Sequence, residues 1–171
     1  MSEDINQKDW EIWEHFVQFH EDFARSAEAF LSKGVDRVAI LRQAFMEGYG
    51  IHTAVYILPW VSINELQQLF DVLIRLAGEY TGYFEAVHKA ILRIPKKWLL
   101  ENIERVVEPY LQKCDGVEYG IYLSLFLKID TELTKKYALR ALEQENYDIR
   151  EAGQDFLDRI KTSPPDTLTI E

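Results

Sequence analysis

The sequence predicts an all-α protein in which pairs of helices stack on one another, an α-solenoid. Apolar residues recur at i, i+3, i+4 and i+7 through the long segments, whereas strand signals are poor. Short helical segments follow one another along the chain, and the second helices of successive pairs repeat one apolar pattern. Hydrophobic residues make up 47% of the 171 residues, which is enough for the substantial core of one globular domain.

Residues 1–34 are predicted to contain one long amphipathic helix, residues 8–33, which ends at Gly34 as its C′ residue. One stripe of this helix carries Trp10, Trp13, Phe16, Val17, His20, Phe23, Ala27, Phe30 and Leu31. The open end of a solenoid needs a cover, and an aromatic helix is suited to provide it. We therefore expect an N-terminal capping helix whose rings at Trp10, Trp13, Phe16 and Phe23 are buried against residues 36–61.

Residues 35–161 are predicted to form the repeats. The helix pairs are expected at 36–48 with 51–61, 63–79 with 82–94, 97–113 with 117–129, and 131–145 with 148–160. Ser62 with Glu65, and Asp148 with Glu151, have the capping-box spacing that indicates a helix start. Residues 162–171 contain two consecutive prolines and are predicted to form a flexible C-terminal tail.

The second helices of the last three pairs align in register. The equivalent positions are Phe84, Tyr119 and Ile149; Val87, Tyr122 and Ala152; Ile91, Phe126 and Phe156; and Leu92, Leu127 and Leu157. The last two of these rows are predicted to be buried. A single pair cannot bury its apolar face alone, so a repeat of this kind requires stacking.

The last copy carries a family resemblance. Asp148-Ile-Arg-Glu-Ala-Gly153, followed by Phe156, Leu157 and Ile160, resembles the second helix of a HEAT repeat. Pro109 resembles the proline that often kinks the first helix of such a repeat. The second and third copies have Glu85 and Gly120 where the family has arginine. The resemblance to HEAT and armadillo-like repeats implies a right-handed superhelix with the second helices along its concave face, and it implies no reaction.

The charge distribution restricts the class of partner. The net charge is −10, and residues 1–33 and 143–171 each hold 8 acidic and 3 basic side chains. Such a chain is repelled by nucleic-acid phosphates and by anionic membranes, so we expect neither as a partner and favour a basic protein. The acidic first residues lack the apolar segment of a signal peptide, and no apolar run is long enough to span a membrane. These features predict a cytoplasmic location.

Motifs for catalysis or for a cofactor are lacking. Cys114 is the only cysteine, and no cationic cluster in its sequence neighbourhood would activate it. The four histidines form no metal motif, although His52 and His88 lie on neighbouring second helices. Acidic pairs such as Glu101 with Glu104 have the spacing of a solvated helix face. We therefore expect no enzyme, no metal and no cofactor.

The second helices carry the candidate binding surface. Positions expected to point away from the core are aromatic, apolar or of mixed charge: His52, Tyr56, Trp60, Glu85, Lys89, Ile121 and Leu125. Ile121 and Leu125 are unusual on a solvated surface, and they belong either to a helix buried on both sides or to an apolar floor for a partner. Tyr and Trp are typical of binding hot spots.

These observations favour a non-enzymatic protein–protein interaction module, an adaptor or scaffold, that binds a partner on its concave face. An acidic immunity or inhibitor protein that neutralises a basic toxin or nuclease is the first alternative, favoured by the charge. A HEAT-like DNA glycosylase is the second, and the lack of a basic face opposes it.

Overall fold

A computed structural model describes residues 6–162, and these residues are helical throughout with no strand among them. The helices are α1 (Gln7–Lys33), α2 (Arg37–Glu47), α3 (Ile51–Ile57), α4 (Ile63–Gln68), α5 (Phe70–Gly78), α6 (Phe84–Ile91), α7 (Lys96–Leu111), α8 (Gly116–Ile129), α9 (Thr131–Leu142) and α10 (Tyr147–Thr162). A 3₁₀ turn, Leu58–Trp60, follows α3. The all-α prediction is confirmed. The predicted tail, residues 162–171, lies outside the described residues except for Thr162, which ends α10.

The chain divides into two compact units after Ile40. The first unit contains α1, which begins at an Asn6 cap whose side chain accepts a hydrogen bond from the Lys8 amide. Gly34 ends α1, and its N–H donates to the Phe30 carbonyl at 3.0 Å. A Cβ at this position would lie 2.5 Å from the same carbonyl oxygen, so the close approach requires glycine although the φ of Gly34 is −66°.

Burial of the aromatic rings of α1 was expected, and that prediction is wrong. None of the α1 residues, all of which are described, is buried. Trp10 is 47% exposed, Trp13 53% and Phe16 64%, while Phe23 is half-buried. The heavy aromatic content of this helix is therefore presented to solvent, and its role as a cap stays a prediction.

The second unit, from Leu41 onward, contains the core. α5 packs against α6, α7 and α8; α3 packs against α6; and α8 packs against α7, α9 and α10. Ion pairs join first helices of neighbouring pairs, because Glu104 and Glu108 of α7 lie 2.6 Å from Lys136 and Arg140 of α9. Gly153 permits the close approach of α10 to α9, since a Cβ there would lie 2.6 Å from the Cβ of Ala141.

The predicted register describes most of the core. Ile91, Phe126 and Phe156 are buried, as are Tyr119 with Ile149 and Val87 with Tyr122. The fourth row is different, because Leu92 is 36% exposed and Leu127 and Leu157 are only half-buried. The expectation that this row is buried is wrong. Each of its residues directly follows a buried residue, and one step along a helix turns the side chain by about 100° away from the core.

Two local predictions also need correction. The segment 63–79 is interrupted at Leu69 (φ −93°, ψ 0°), and the Arg42 guanidinium donates to the Gln68 carbonyl at 2.5 Å beside the break. The predicted capping box at Asp148 does not form, because α10 begins at Tyr147 and Asn146 accepts the Asp148 amide at 2.9 Å. The box at Ser62 and Glu65 is present as predicted. An additional capping box joins Asp115 and Glu118 at the start of α8.

Candidate protein-binding surface

The candidate surface begins with the short helix α3. Gly48 and Gly50 have φ values of 79° and 73°, so the chain reverses through two residues that adopt the left-handed region without a steric penalty. Ala54, Val55 and Ile57 are buried and attach α3 to the core. His52 and Tyr56 lie four residues apart on its exposed side.

The 3₁₀ turn after α3 presents Trp60. Leu58 and Val61, on either side of Pro59 and Trp60, are 0% and 1% exposed. Residues three apart eclipse one another in a 3₁₀ turn, so both anchors point inward while Trp60 stays outside and is 59% exposed. The Trp60 and Tyr56 ring centroids are 5.8 Å apart, and Tyr56 is 49% exposed. Two large aromatic side chains, one on α3 and one on the anchored turn, therefore share one exposed area.

Arg93 stabilises this turn from the neighbouring pair. Its guanidinium donates to the Leu58 carbonyl at 2.7 Å and to the Val61 carbonyl at 2.8 Å. These two carbonyls flank Pro59 and Trp60, so a charged, planar donor holds the backbone that carries Trp60. Hydrogen bonds to a charged donor are stronger than those between neutral groups, so the turn is pre-organised.

His52 is held by Tyr83, which precedes α6. The Tyr83 hydroxyl lies 2.7 Å from a ring nitrogen of His52, and the two rings meet edge to face with centroids 5.0 Å apart. Glu85 and Lys89 follow on the exposed side of α6, four residues apart. Because α3 and α6 pack together, the five candidate residues of these elements belong to neighbouring helices. We call His52, Tyr56, Trp60 and Tyr83 the aromatic patch.

The two α8 residues predicted for this surface, Ile121 and Leu125, are less exposed than the residues on α3, its turn and α6. Leu125 is 0% exposed, so its placement in an open binding surface is wrong. Ile121 is half-buried. The physical reason is that α8 contacts α5, α7, α9 and α10 and so buries residues around most of its circumference. Of the two interpretations left open by the sequence, the helix buried on both sides applies to Leu125.

His88 does not meet His52. Its ring is 0% exposed, its Nε2–H donates to the Ala77 carbonyl at 3.0 Å, and its Nδ1 has no hydrogen-bond partner among the described residues. Burial is the main cause that lowers the pKa of His88 to about 4, so the ring is neutral at pH 7. Within residues 6–162, no group of three His, Cys, Asp or Glu side chains is placed to hold a metal ion.

Burial also affects the ionisation of the thiol and of two tyrosine hydroxyls in the core. Burial, followed by the charge of Glu118, raises the pKa of the Cys114 thiol to about 11, which keeps it protonated at neutral pH. Burial also raises the pKa of Tyr119 and Tyr122, whose hydroxyls donate to the carbonyls of Tyr137 and Ile74. In the described part of the chain, no helix is both long and apolar enough to cross a membrane.

Comparisons with known proteins give no further information on this surface. The chain matches no protein-family model, no curated protein and no solved structure. The arrangement of the aromatic patch on α3, the following turn and the start of α6 is therefore what bears on function.

Tyr83 and Arg93 belong to the surface and were missed by sequence reasoning. Tyr83 lies 31 residues after His52 and Arg93 lies 32 residues after Val61, close to the length of one helix pair. The spacing of about 30 residues predicted between successive helix pairs was the available signal, because a stacked arrangement would bring residues at that spacing close together. Nothing in the local sequence identifies the carbonyls to which Arg93 donates.

Proposed function

We propose that this chain is a non-enzymatic protein-binding module, a HEAT-like stack of helix pairs that engages a protein partner through the aromatic patch. The single observation that carries the proposal is the exposed pair of Tyr56, at the end of α3, and Trp60, on the following turn that buried residues and Arg93 hold. Large aromatic side chains on rigid supports are typical of binding hot spots, because little side-chain entropy is lost when a partner covers them.

The packing of neighbouring pairs supports the stacked architecture. The first helices α5 and α7 are in contact, as are the second helices α3 with α6 and α8 with α10, and α5 also contacts the second helix α8. Ion pairs between α7 and α9 continue the row of first helices. Contacts of like with like between successive pairs are what a solenoid requires.

The chemistry of the surface supports a protein partner. His52, Glu85 and Lys89 surround the aromatic residues with mixed charge, which is the composition of an interface rim. The net charge of −10 opposes nucleic acid and favours a partner with basic groups. A partner of this kind would cover the two rings and pair its cations with nearby carboxylates.

The experiment is a pull-down with the tagged full-length chain, followed by mass spectrometry and by titration of each purified candidate. We expect Trp60→Ala and Tyr56→Ala each to weaken binding by about fivefold or more, the range of interface hot spots. Tyr147→Ala is the matched control, because Tyr147 is 65% exposed but lies at the start of α10. Equal loss with all three variants would contradict the proposal.

The inhibitor alternative makes a different prediction. Charge reversal at Glu151 and Asp155 would abolish binding of a basic toxin while Trp60→Ala did nothing. The described ion pairs weaken this alternative, because Asp155 is 2.6 Å from Arg159 and Asp158 is 3.0 Å from Lys161. Carboxylates that already have cations beside them present less negative potential to a basic partner.

A further inference from the structure

The first unit has a second surface that the proposed function does not use. Along α1 the exposed large apolar side chains are Trp10, Ile12, Trp13, Phe16, Val17 and Phe19. Single exposed apolar residues are common on proteins, but a continuous group of this size is characteristic of an interaction site. We call these six residues the α1 face.

The α1 face has the geometry of a helix-packing surface. Trp10 and Val17, and likewise Ile12 and Phe19, are seven residues apart, and Trp13 and Phe16 lie between these two rows on the helix circumference. Apolar rows with seven-residue spacing keep one side of a helix against a partner helix over several turns. The α1 face occupies residues 10–19, about 15 Å of this 27-residue helix.

One border of this face is acidic. Glu14, Glu21 and Glu28 are exposed and also seven residues apart, and because Glu14 and Glu21 follow Trp10 and Val17 by four residues, their row lies about 40° around the helix from those two residues. The indole N–H of Trp10 donates to Glu14 at 2.8 Å, which shows how close the acidic row lies to the aromatic residues. Arg25 pairs with Asp22, outside this row.

We propose that the α1 face docks a basic amphipathic helix of a protein partner. The apolar side of that helix would cover Trp13 and Phe16, and its lysines or arginines would lie beside the Glu14, Glu21 and Glu28 row. A helix is the occupant that matches apolar rows with seven-residue spacing, and a cationic one complements the acidic border. A second copy of this chain would bring like charges near one another, and an anionic membrane would be repelled by the same row.

The test uses the full-length chain and a synthetic probe. The probe is a fluorescein-labelled 21-residue helix of leucine and lysine with leucine at heptad positions a and d, and the control replaces every lysine with glutamate. Binding is measured by fluorescence anisotropy at low and high salt. We expect the lysine peptide to bind, and we expect binding to weaken as salt screens the charges. The glutamate peptide should not bind.

Three variants locate the site. The triple variant Glu14→Gln, Glu21→Gln, Glu28→Gln should weaken binding of the lysine peptide by about tenfold at low salt. The matched control, Glu145→Gln with Glu151→Gln and Asp155→Asn, removes three carboxylates from the other end of the chain and should have much less effect. Phe16→Asp should abolish binding while it leaves the midpoint of thermal unfolding unchanged.

Several results would overturn the inference. Equal effects of the two triple variants would mean that the peptide responds only to net charge. A lower unfolding midpoint for Phe16→Asp would mean that the face packs within its own chain. Concentration-dependent dimers that Phe16→Asp abolishes would identify a second copy as the occupant, and binding to zwitterionic vesicles in place of the peptide would identify a membrane. Trp60→Ala should leave peptide binding unchanged, so failure here and failure of the proposed function are distinguishable.

Discussion

Helices α1 and α8 are both rich in apolar and aromatic residues, yet they have opposite environments. α8 has buried residues on most of its circumference, among them Tyr119, Tyr122, Leu125 and Phe126. α1 has none, and Trp10, Trp13, Phe16 and Phe19 on it are exposed. The difference lies in where the polar residues are, because α1 has a complete polar side and α8 has charged residues mainly near its ends. A helix that is apolar all round is central, whereas one with an apolar side and a polar side is a surface helix with a side to cover.

The sharpest test of this comparison is truncation of one ring on each helix. Phe126→Ala should lower the free energy of unfolding by about 3–5 kcal/mol, because the ring is 0% exposed and its loss leaves a cavity. Phe16→Ala should change it by less than about 0.5 kcal/mol, as is usual for surface substitutions. Chemical denaturation of both variants measures the two values. Similar losses would show that the two helices are equally buried.

The pH dependence of stability tests the core around His88. Its folded pKa of about 4 lies below the ordinary histidine pKa of 6.5, so between these values the unfolded chain binds more protons than the folded one. Stability from this group is therefore complete above pH 6.5 and is lost as pH falls toward 4, by up to about 3 kcal/mol. Urea unfolding between pH 7 and pH 4.5 should show the decline, and His88→Leu should reduce its slope. If stability declined equally steeply with pH in His88→Leu, the decline would come from other titratable groups.

Substitution of Gly78 tests the contact between α5 and α8. A Cβ at Gly78 would overlap the Tyr122 ring, whose hydroxyl donates to the Ile74 carbonyl at 3.2 Å. Gly78→Ala should therefore cost about 1–3 kcal/mol of unfolding free energy, the usual range for overpacking. Adding Tyr122→Leu should recover part of the loss, because the smaller side chain makes room. Additive losses in a double-mutant cycle would contradict the contact.

The smallest expected change in unfolding free energy concerns the residues that cap the starts of α8 and α10. Asp115→Ala should cost about 1 kcal/mol, because Asp115 caps α8 through the Glu118 amide at 2.9 Å. Asp148→Ala should cost less than about 0.5 kcal/mol, since Asn146 and not Asp148 provides the side-chain acceptor at α10. Thermal unfolding of the two alanine variants gives the comparison. A larger loss for Asp148→Ala would restore the capping box predicted from the sequence.

Much of the local structure was predictable because it depends on local patterns. The long helix expected at 8–33 is α1 at Gln7–Lys33, and the segments expected at 117–129 and 51–61 are α8 and α3 with its 3₁₀ turn. Apolar periodicity and glycine-containing turns were sufficient for these elements. The break at Leu69 was not predictable, because the Arg42 side chain that donates beside it comes from 26 residues away.

The sequence by itself determined that this protein is helical and where most of its turns lie, because these follow from neighbours along the chain. The tertiary structure alone decided which apolar positions are covered. Leu125 and Trp60 both looked like surface residues, yet Leu125 is enclosed and Trp60 is exposed. Burial depends on how many helices surround a position, and Arg93, Tyr83 and the four helices that contact α8 come from several parts of the chain. Periodicity reports the side of a helix that is apolar, whereas the number of partners on that side is set only when the helices pack.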